Sequence, residues 1–182
     1  MNGEALKWRV HLHIDKWTPA QVSYAQALGD TGARPVIAPA ETLDVAGNLL
    51  TTAGLNRLTS LLIGAGGQAL TNTACRIGSG NSNTAAAVGQ TDLQAAAGSS
   101  NRWFQPMDAT YPQQANGVAT FKATFGTADG NYVWSEWGID VGAPTMTAGS
   151  TVGALLMNRK VQAMGEKVSG AIWTVTATVT VS

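Results

Sequence analysis

Trp173-Thr174-Val175-Thr176-Ala177-Thr178-Val179-Thr180-Val181-Ser182 is the stretch that decides the fold. Trp173, Val175, Ala177, Val179 and Val181 alternate with four threonines. A period of two sends every apolar group to one face of an extended strand and every hydroxyl to the other. β-Branched side chains are stiff and suit the pleated backbone. A terminal segment of this kind is ordered only when paired, so the chain is expected to end inside a β fold.

The same alternation recurs toward the start. Residues 118–125 set Ala119, Phe121, Ala123 and Phe125 against Thr120, Lys122 and Thr124. Residues 132–139 set Tyr132, Trp134 and Glu136 opposite Val133, Ser135 and Trp137. Residues 6–15 alternate Leu6, Trp8, Val10, Leu12 and Ile14 with Lys7, Arg9, His11, His13 and Asp15. Shorter strands are expected at 76–80, 102–109 and 152–161, with glycine-rich turns between them. The spacing predicts a mainly β chain, an antiparallel β-sandwich of jelly-roll-like type.

Two helices are expected. Thr18 is a good N-cap with Pro19 at the first helical position, so a short helix runs to about Leu28. Leu55, Leu58, Leu61 and Leu62 make an apolar stripe at helical spacing over 51–63. Thr51 or Thr52 caps its start, and Gly64, Gly66 and Gly67 stop it. Residues 85–97 read as a short helix or an ordered loop. Residues 29–47 carry Gly29, Gly32, Pro35, Pro39 and Gly47 with little periodicity. A structureless run this long suits a linker or arm. The expected division is therefore 1–47, an N-terminal strand, short helix and extended arm, and 48–182, a β-sandwich domain with a leading helix.

Charged residues make up 12% of the chain, eleven acidic balancing eleven basic. That is about half the usual fraction. No basic excess points to nucleic acid, and no apolar run of membrane-spanning length occurs in the sequence. Residues 1–7 lack a signal-peptide layout, so assembly in a cytoplasm is expected. A surface rich in Gly, Ala, Thr, Ser and Asn costs little to desolvate and suits burial against other chains. Cys75 is the only cysteine and reads as a small buried hydrophobe.

The candidate chemistry is sparse. His11 and His13 share one strand face at a spacing that can ligate a metal, but no third ligand is evident nearby, and exposed histidines are the plainer reading. Glu136 sits between indoles and invites a raised pKa; a catalytic pair would need Asp140 or Asp129 beside it. Gly78-Ser79-Gly80 is not a nucleophile elbow. Trp103, Phe104, Trp134 and Trp137 form either an aromatic core or a platform for sugars. No catalytic, cofactor or metal residues are assigned.

One resemblance emerges. Residues 120–125, then Ala128-Asp129-Gly130-Asn131-Tyr132-Val133-Trp134-Ser135-Glu136-Trp137-Gly138-Ile139, look like a pattern of tailed-bacteriophage virion proteins. So do residues 155–160, Met164-Gly165-Glu166-Lys167, the 173–182 strand, residues 47–54 and residues 76–80. The resemblance spans roughly 47–182. It implies a structural role in the virion: a capsid decoration or cement protein, with a minor tail or fibre-attachment protein as alternative. The implied partners are copies of itself, most simply a homotrimer, and the major capsid protein or other virion proteins, with neither nucleic acid nor membrane. A carbohydrate-binding β-sandwich module is the alternative from another class. The interface is expected to use Trp8, Val10, Leu12, Arg159 and Lys160.

Overall fold

The computed structural model describes residues 8–143 and 148–181. Leu6 and Lys7 of the expected first strand, and Ser182, lie outside the described residues. The elements run β1 Trp8–Trp17, α1 Pro19–Ala27, β2 Glu41–Ala46, β3 Leu49–Leu50, α2 Thr52–Leu62, β4 Cys75–Gly80, β5 Arg102–Pro106, β6 Gln113–Ala115, β7 Val118–Phe125, β8 Val133–Val141, β9 Asn158–Glu166 and β10 Ile172–Val181. They build two antiparallel sheets of five strands, ordered β2-β1-β10-β7-β6 and β3-β9-β8-β4-β5, which pack as a sandwich.

Alternation makes the first sheet. β10 lies at its centre, paired with β1 over its whole length and with β7 on the other side. Val10, Leu12, Ile14, Phe121, Ala123, Phe125, Val175, Ala177 and Val179 all point into the core. Thr176, Thr178 and Thr180 take the outer face, where each is half-exposed.

The second sheet meets them with Cys75, Ile77, Trp137, Ile139 and Val141. Three rings clamp the two sheets at one end. Trp134 of β8 meets Phe125 of β7 edge-on at 4.6 Å between centroids, and Trp173 of β10 at 4.8 Å. Edge-to-face pairs add about 0.5–1.5 kcal/mol each beyond the area they bury.

The N-terminal stretch is not an arm. β1 sits between β10 and β2, so residues 8–46 complete the first sheet rather than reach away from it. Within the stretch expected to be irregular, Leu43 and Val45 pack against the core, and β2 pairs with β1 from Glu41 to Ala46. The alternation of Glu41-Thr42-Leu43-Asp44-Val45 was the available signal, masked by the prolines and glycines before it. α1 has the anticipated cap: Thr18 accepts from the Gln21 amide while the Gln21 side chain accepts from the Thr18 amide. α2 starts at the Thr51 cap, whose oxygen accepts from the Gly54 amide.

Two further expectations change. The strand expected over 152–161 begins only at Asn158 and runs on to Glu166. Its pairing with β8 carries it through Gln162-Ala163, where the alternation fades. Trp134 and Trp137, placed on opposite faces by strict alternation, share one core. The register slips between Trp134 and Glu136, where β9 advances from Gly165 to Val161 while β8 moves two residues. Such an irregularity resets the facing of the strand. Residues 85–97 form no helix; they are an ordered irregular segment.

Deleting residues 1–46 removes β1 and β2 and uncovers one whole edge of β10. The expected outcome is loss of cooperative unfolding and of near-ultraviolet circular dichroism. A soluble, cooperatively folding 47–182 fragment would contradict this.

Candidate functional site

The outer face of the second sheet carries the least ordinary chemistry. β8 is buried on both faces along almost its whole length because irregular segments cover it. Glu136 and Asp140 point outward under that cover, and both are fully buried.

Glu136 is saturated with donors. The backbone amides of Gln94 and Ala95 donate to it at 3.0 and 2.7 Å, and Arg159 donates through Nε at 2.7 Å and ion-pairs through Nη2 at 2.6 Å. Arg159 also donates to Gln90 Oε1 and the Thr84 carbonyl, each at 2.8 Å. A second arginine, Arg102, donates to the carbonyls of Leu93 and Ala95 and pairs closely with Asp92. Asp92 in turn accepts from the Gly153 amide at 2.7 Å. These groups fasten the irregular 81–101 segment to the sheet. Held by two backbone amides and a buried arginine, Glu136 is a structural anchor.

Asp140 accepts from the Leu155 and Ala143 amides and from Arg76 at 3.1 Å. Burial still holds its carboxyl above the ordinary carboxylate range, against the pull of those donors. It belongs to the same covering layer and does not face Glu136 as a catalytic partner would.

The glycines of β4 explain themselves here. A Cβ on Gly80 would stand 2.5 Å from Glu136 Oε1, and one on Gly78 would enter the Phe104 ring. Gly78-Ser79-Gly80 is a clearance for Phe104 and Glu136. Ser79 faces the core, where its hydroxyl meets the Tyr132 hydroxyl at 2.8 Å. Cys75 is fully buried, and desolvation pushes its thiol up to about 12, which leaves it inert.

The aromatic platform does not form. Phe104, Trp134 and Trp137 are buried, and Trp103 is half-buried with its indole donating to Gln105. Of the expected interface residues, Val10 and Leu12 are core and Arg159 is fully buried against Glu136. Trp8 and Lys160 are half-exposed. Alternation had marked the apolar face correctly but could not say whether this chain or another would cover it.

His11 and His13 sit on the outer face of the first sheet. His13 Nδ1 bonds Asp44 at 2.9 Å and Nε2 bonds Asp15 at 3.1 Å, while His11 Nε2 lies 3.1 Å from Asp44. A ring with a carboxylate at each nitrogen is best satisfied as the imidazolium, with both nitrogens donating. The Asp44 bond is the largest cause of a raised His13 pKa, and Asp15 adds to it. Among the described residues no cluster of His, Cys, Asp and Glu is arranged to hold a metal ion.

Beside these histidines, a shallow groove of about 400 Å³ is lined by Trp8, Arg9, His11, Asn48, Thr178 and Thr180 among others. The Trp8 indole N–H and both polar atoms of the Asn48 amide are buried there without a hydrogen-bond partner among the described residues.

A different surface stands out for what it lacks. Between Asp44 and Asp92 the chain carries two charges, Arg57 and Arg76. Both are used internally: Arg57 donates to the carbonyls of Gln68 and Val141, and Arg76 pairs with Asp140. α2 projects from this uncharged region. Its Gly54 lies against Met157, where a Cβ would collide with backbone. Two of its four leucines and its C-cap residue are uncovered: Leu62 is 85% exposed, Ile63 75% and Leu55 48%, while Leu58 packs against the core. The exposed Val88 adjoins the start of the helix, through a bond from the Thr52 amide to the Val88 carbonyl.

Glu136→Gln leaves the buried Arg159 charge uncompensated. It should cost about 3–5 kcal/mol, read as a fall in the urea midpoint. Gly80→Ala should cost about 1–3 kcal/mol by overpacking the same spot. His13 supplies a pH test. Its folded pKa lies above the unfolded 6.5, so its stabilisation is complete below that pH and fades as pH rises through the raised value. Urea midpoints between about pH 5.5 and about pH 7.5 should fall with pH in the wild type, and this component should shrink in Asp44→Asn, which leaves only the Asp15 contact. No family model, curated protein or solved structure matches this chain.

Proposed function

We propose that the protein is a structural component of a tailed-bacteriophage virion, a capsid decoration or cement protein that works by adhesion. It assembles in the host cytoplasm as a homo-oligomer, most simply a homotrimer, and seats on the major capsid protein. The observation that carries this reading is the uncharged surface around α2. An apolar helix face with Leu55, Leu62 and Ile63 exposed, flanked by segments without free charge, suits contact with protein. A neutral face also meets its own copy without like-charge repulsion, which favours symmetric assembly. The resemblance of residues 47–182 to virion proteins supplies the setting.

The rest of the molecule is built to hold such a surface still. The buried Glu136–Arg159 pair and the three-ring clamp leave little to move. Rigid elements lose little entropy on association.

Two measurements test the reading. Quantitative densitometry of purified particles should find on the order of hundreds of copies for a decoration protein arrayed with shell symmetry, against a few dozen at most for a minor tail or fibre-attachment protein. The double variant Leu62→Asp, Ile63→Asp should change monomer stability by less than about 0.5 kcal/mol, because both side chains are exposed. It should nonetheless dissociate the oligomer in light scattering and abolish incorporation. Unchanged oligomerisation would remove α2 from the interface.

The groove beside Trp8 favours a second reading, a carbohydrate-binding module. An indole, an unpartnered carboxamide and two threonine hydroxyls suit a ligand rich in hydroxyl groups. A glycan array should then give hits that Trp8→Ala and Asn48→Ala both remove.

A further inference from the structure

Lys167 is fully buried just after β9, where a lysine ordinarily needs a carboxylate. Among the described residues it has none at ion-pair distance. Asp129 acts on it only from farther away, and that carboxylate is engaged by the Gly126 amide at 2.9 Å. The amine instead donates to two neutral oxygens: the Gly126 carbonyl at 2.7 Å and Asn131 Oδ1 at 2.9 Å. The second contact sets a primary amine against a carboxamide. A C=O bond is about 1.2 Å long, so Nζ lies at most about 4 Å from Asn131 Cγ, close to near-attack distance.

We propose that Lys167 and Asn131 form an intramolecular isopeptide bond. The lone pair of the neutral amine attacks Cγ, giving a tetrahedral centre. The Cγ–Nδ2 bond then breaks, and the proton lost by Nζ leaves with Nδ2. Lysine amine plus asparagine carboxamide thus gives one secondary amide plus ammonia, with no oxidant, reductant or other reactant.

The surroundings favour the attack and the departure of ammonia. Burial brings the Lys167 pKa down to about 8, so an appreciable fraction is neutral near physiological pH. The Gly126 carbonyl fixes the direction of the amine. Asn131 Nδ2 donates to the Thr127 carbonyl at 3.0 Å, which restrains the carboxamide plane. Asn131 is only half-buried, so ammonia has a route to solvent. The turn that carries the chain from β7 in one sheet to β8 in the other would thereby be tied to the end of β9, beside the Phe125–Trp134–Trp173 clamp. This inference stands apart from the virion reading, since it concerns only chemistry within one chain.

Intact mass spectrometry of the full-length protein is the test. After incubation at about pH 9, the wild type should be about 17 Da lighter than its sequence, the mass of one ammonia, and the deficit should grow more slowly at about pH 6. Tandem spectra of a tryptic digest should show residues 123–159 joined to residues 161–182, with no cleavage after Lys167. Lys167→Arg and Asn131→Ala should each restore the full sequence mass. A wild-type mass that stays at the sequence value, or cleavage after Lys167 in the incubated protein, overturns the proposal. So does a deficit that persists in Lys167→Arg, which would mark a succinimide at an asparagine instead.

Discussion

The structure depends on one buried carboxylate. Glu136 projects from the outer face of a sheet that would otherwise meet solvent, and it gathers Arg159 and the amides of Gln94 and Ala95 around it. Without those bonds the 81–101 segment has little reason to lie where it does. It has no regular secondary structure, and its own apolar contribution to the covering layer includes Leu93. With the bonds, the segment becomes a lid over β4 and β8 and helps create the second small core around Phe104 and Leu156. Burying an ion pair is expensive unless both partners are fully satisfied. Here both are, which is why the network specifies one arrangement of a long irregular chain.

That constraint spreads outward. Gly80 must lack a side chain to admit Glu136, and Gly78 to admit Phe104. Arg102 and Asp92 repeat the arrangement a short distance away and join the lid to Gly153. The sandwich thus has two unlike sides. Its first sheet presents an ordinary polar face of threonines, histidines and aspartates. Its second sheet is sealed by irregular segments whose one carboxylate, Asp92, is paired with Arg102, with α2 beside them carrying exposed leucines. The adhesion we propose would use this asymmetry, with one face associating while the other stays wetted.

Much of the fold was legible. The period-two stretches around Phe121, Trp137 and Val175 report burial on one face directly, and the Thr18 and Thr51 caps mark their helices through short-range hydrogen bonds. The candidate site residues were harder to read. Glu136 between indoles has the sequence appearance of a tuned acid, yet its donors come from residues about forty positions earlier and from Arg159. Val10 and Leu12 looked available to a neighbour because alternation reveals an apolar face without revealing what covers it; β10 and the opposing sheet do so. The α2 stripe was visible at helical spacing, but its division was not: the packing of Gly54 on Met157 and of Leu58 on the core leaves Leu55 and Leu62 outside.

By itself, the sequence determined that this chain is a β-sandwich with two capped helices, few charges and a buried thiol. Those properties follow from local periodicity and composition, which act over a few residues. Tertiary structure alone decided that residues 8–46 join the first sheet, that Glu136 and Arg159 anchor a lid, and that Lys167 meets Asn131. Each of these depends on groups distant in sequence being brought within bonding distance, and no local pattern encodes where a buried charge finds its partner.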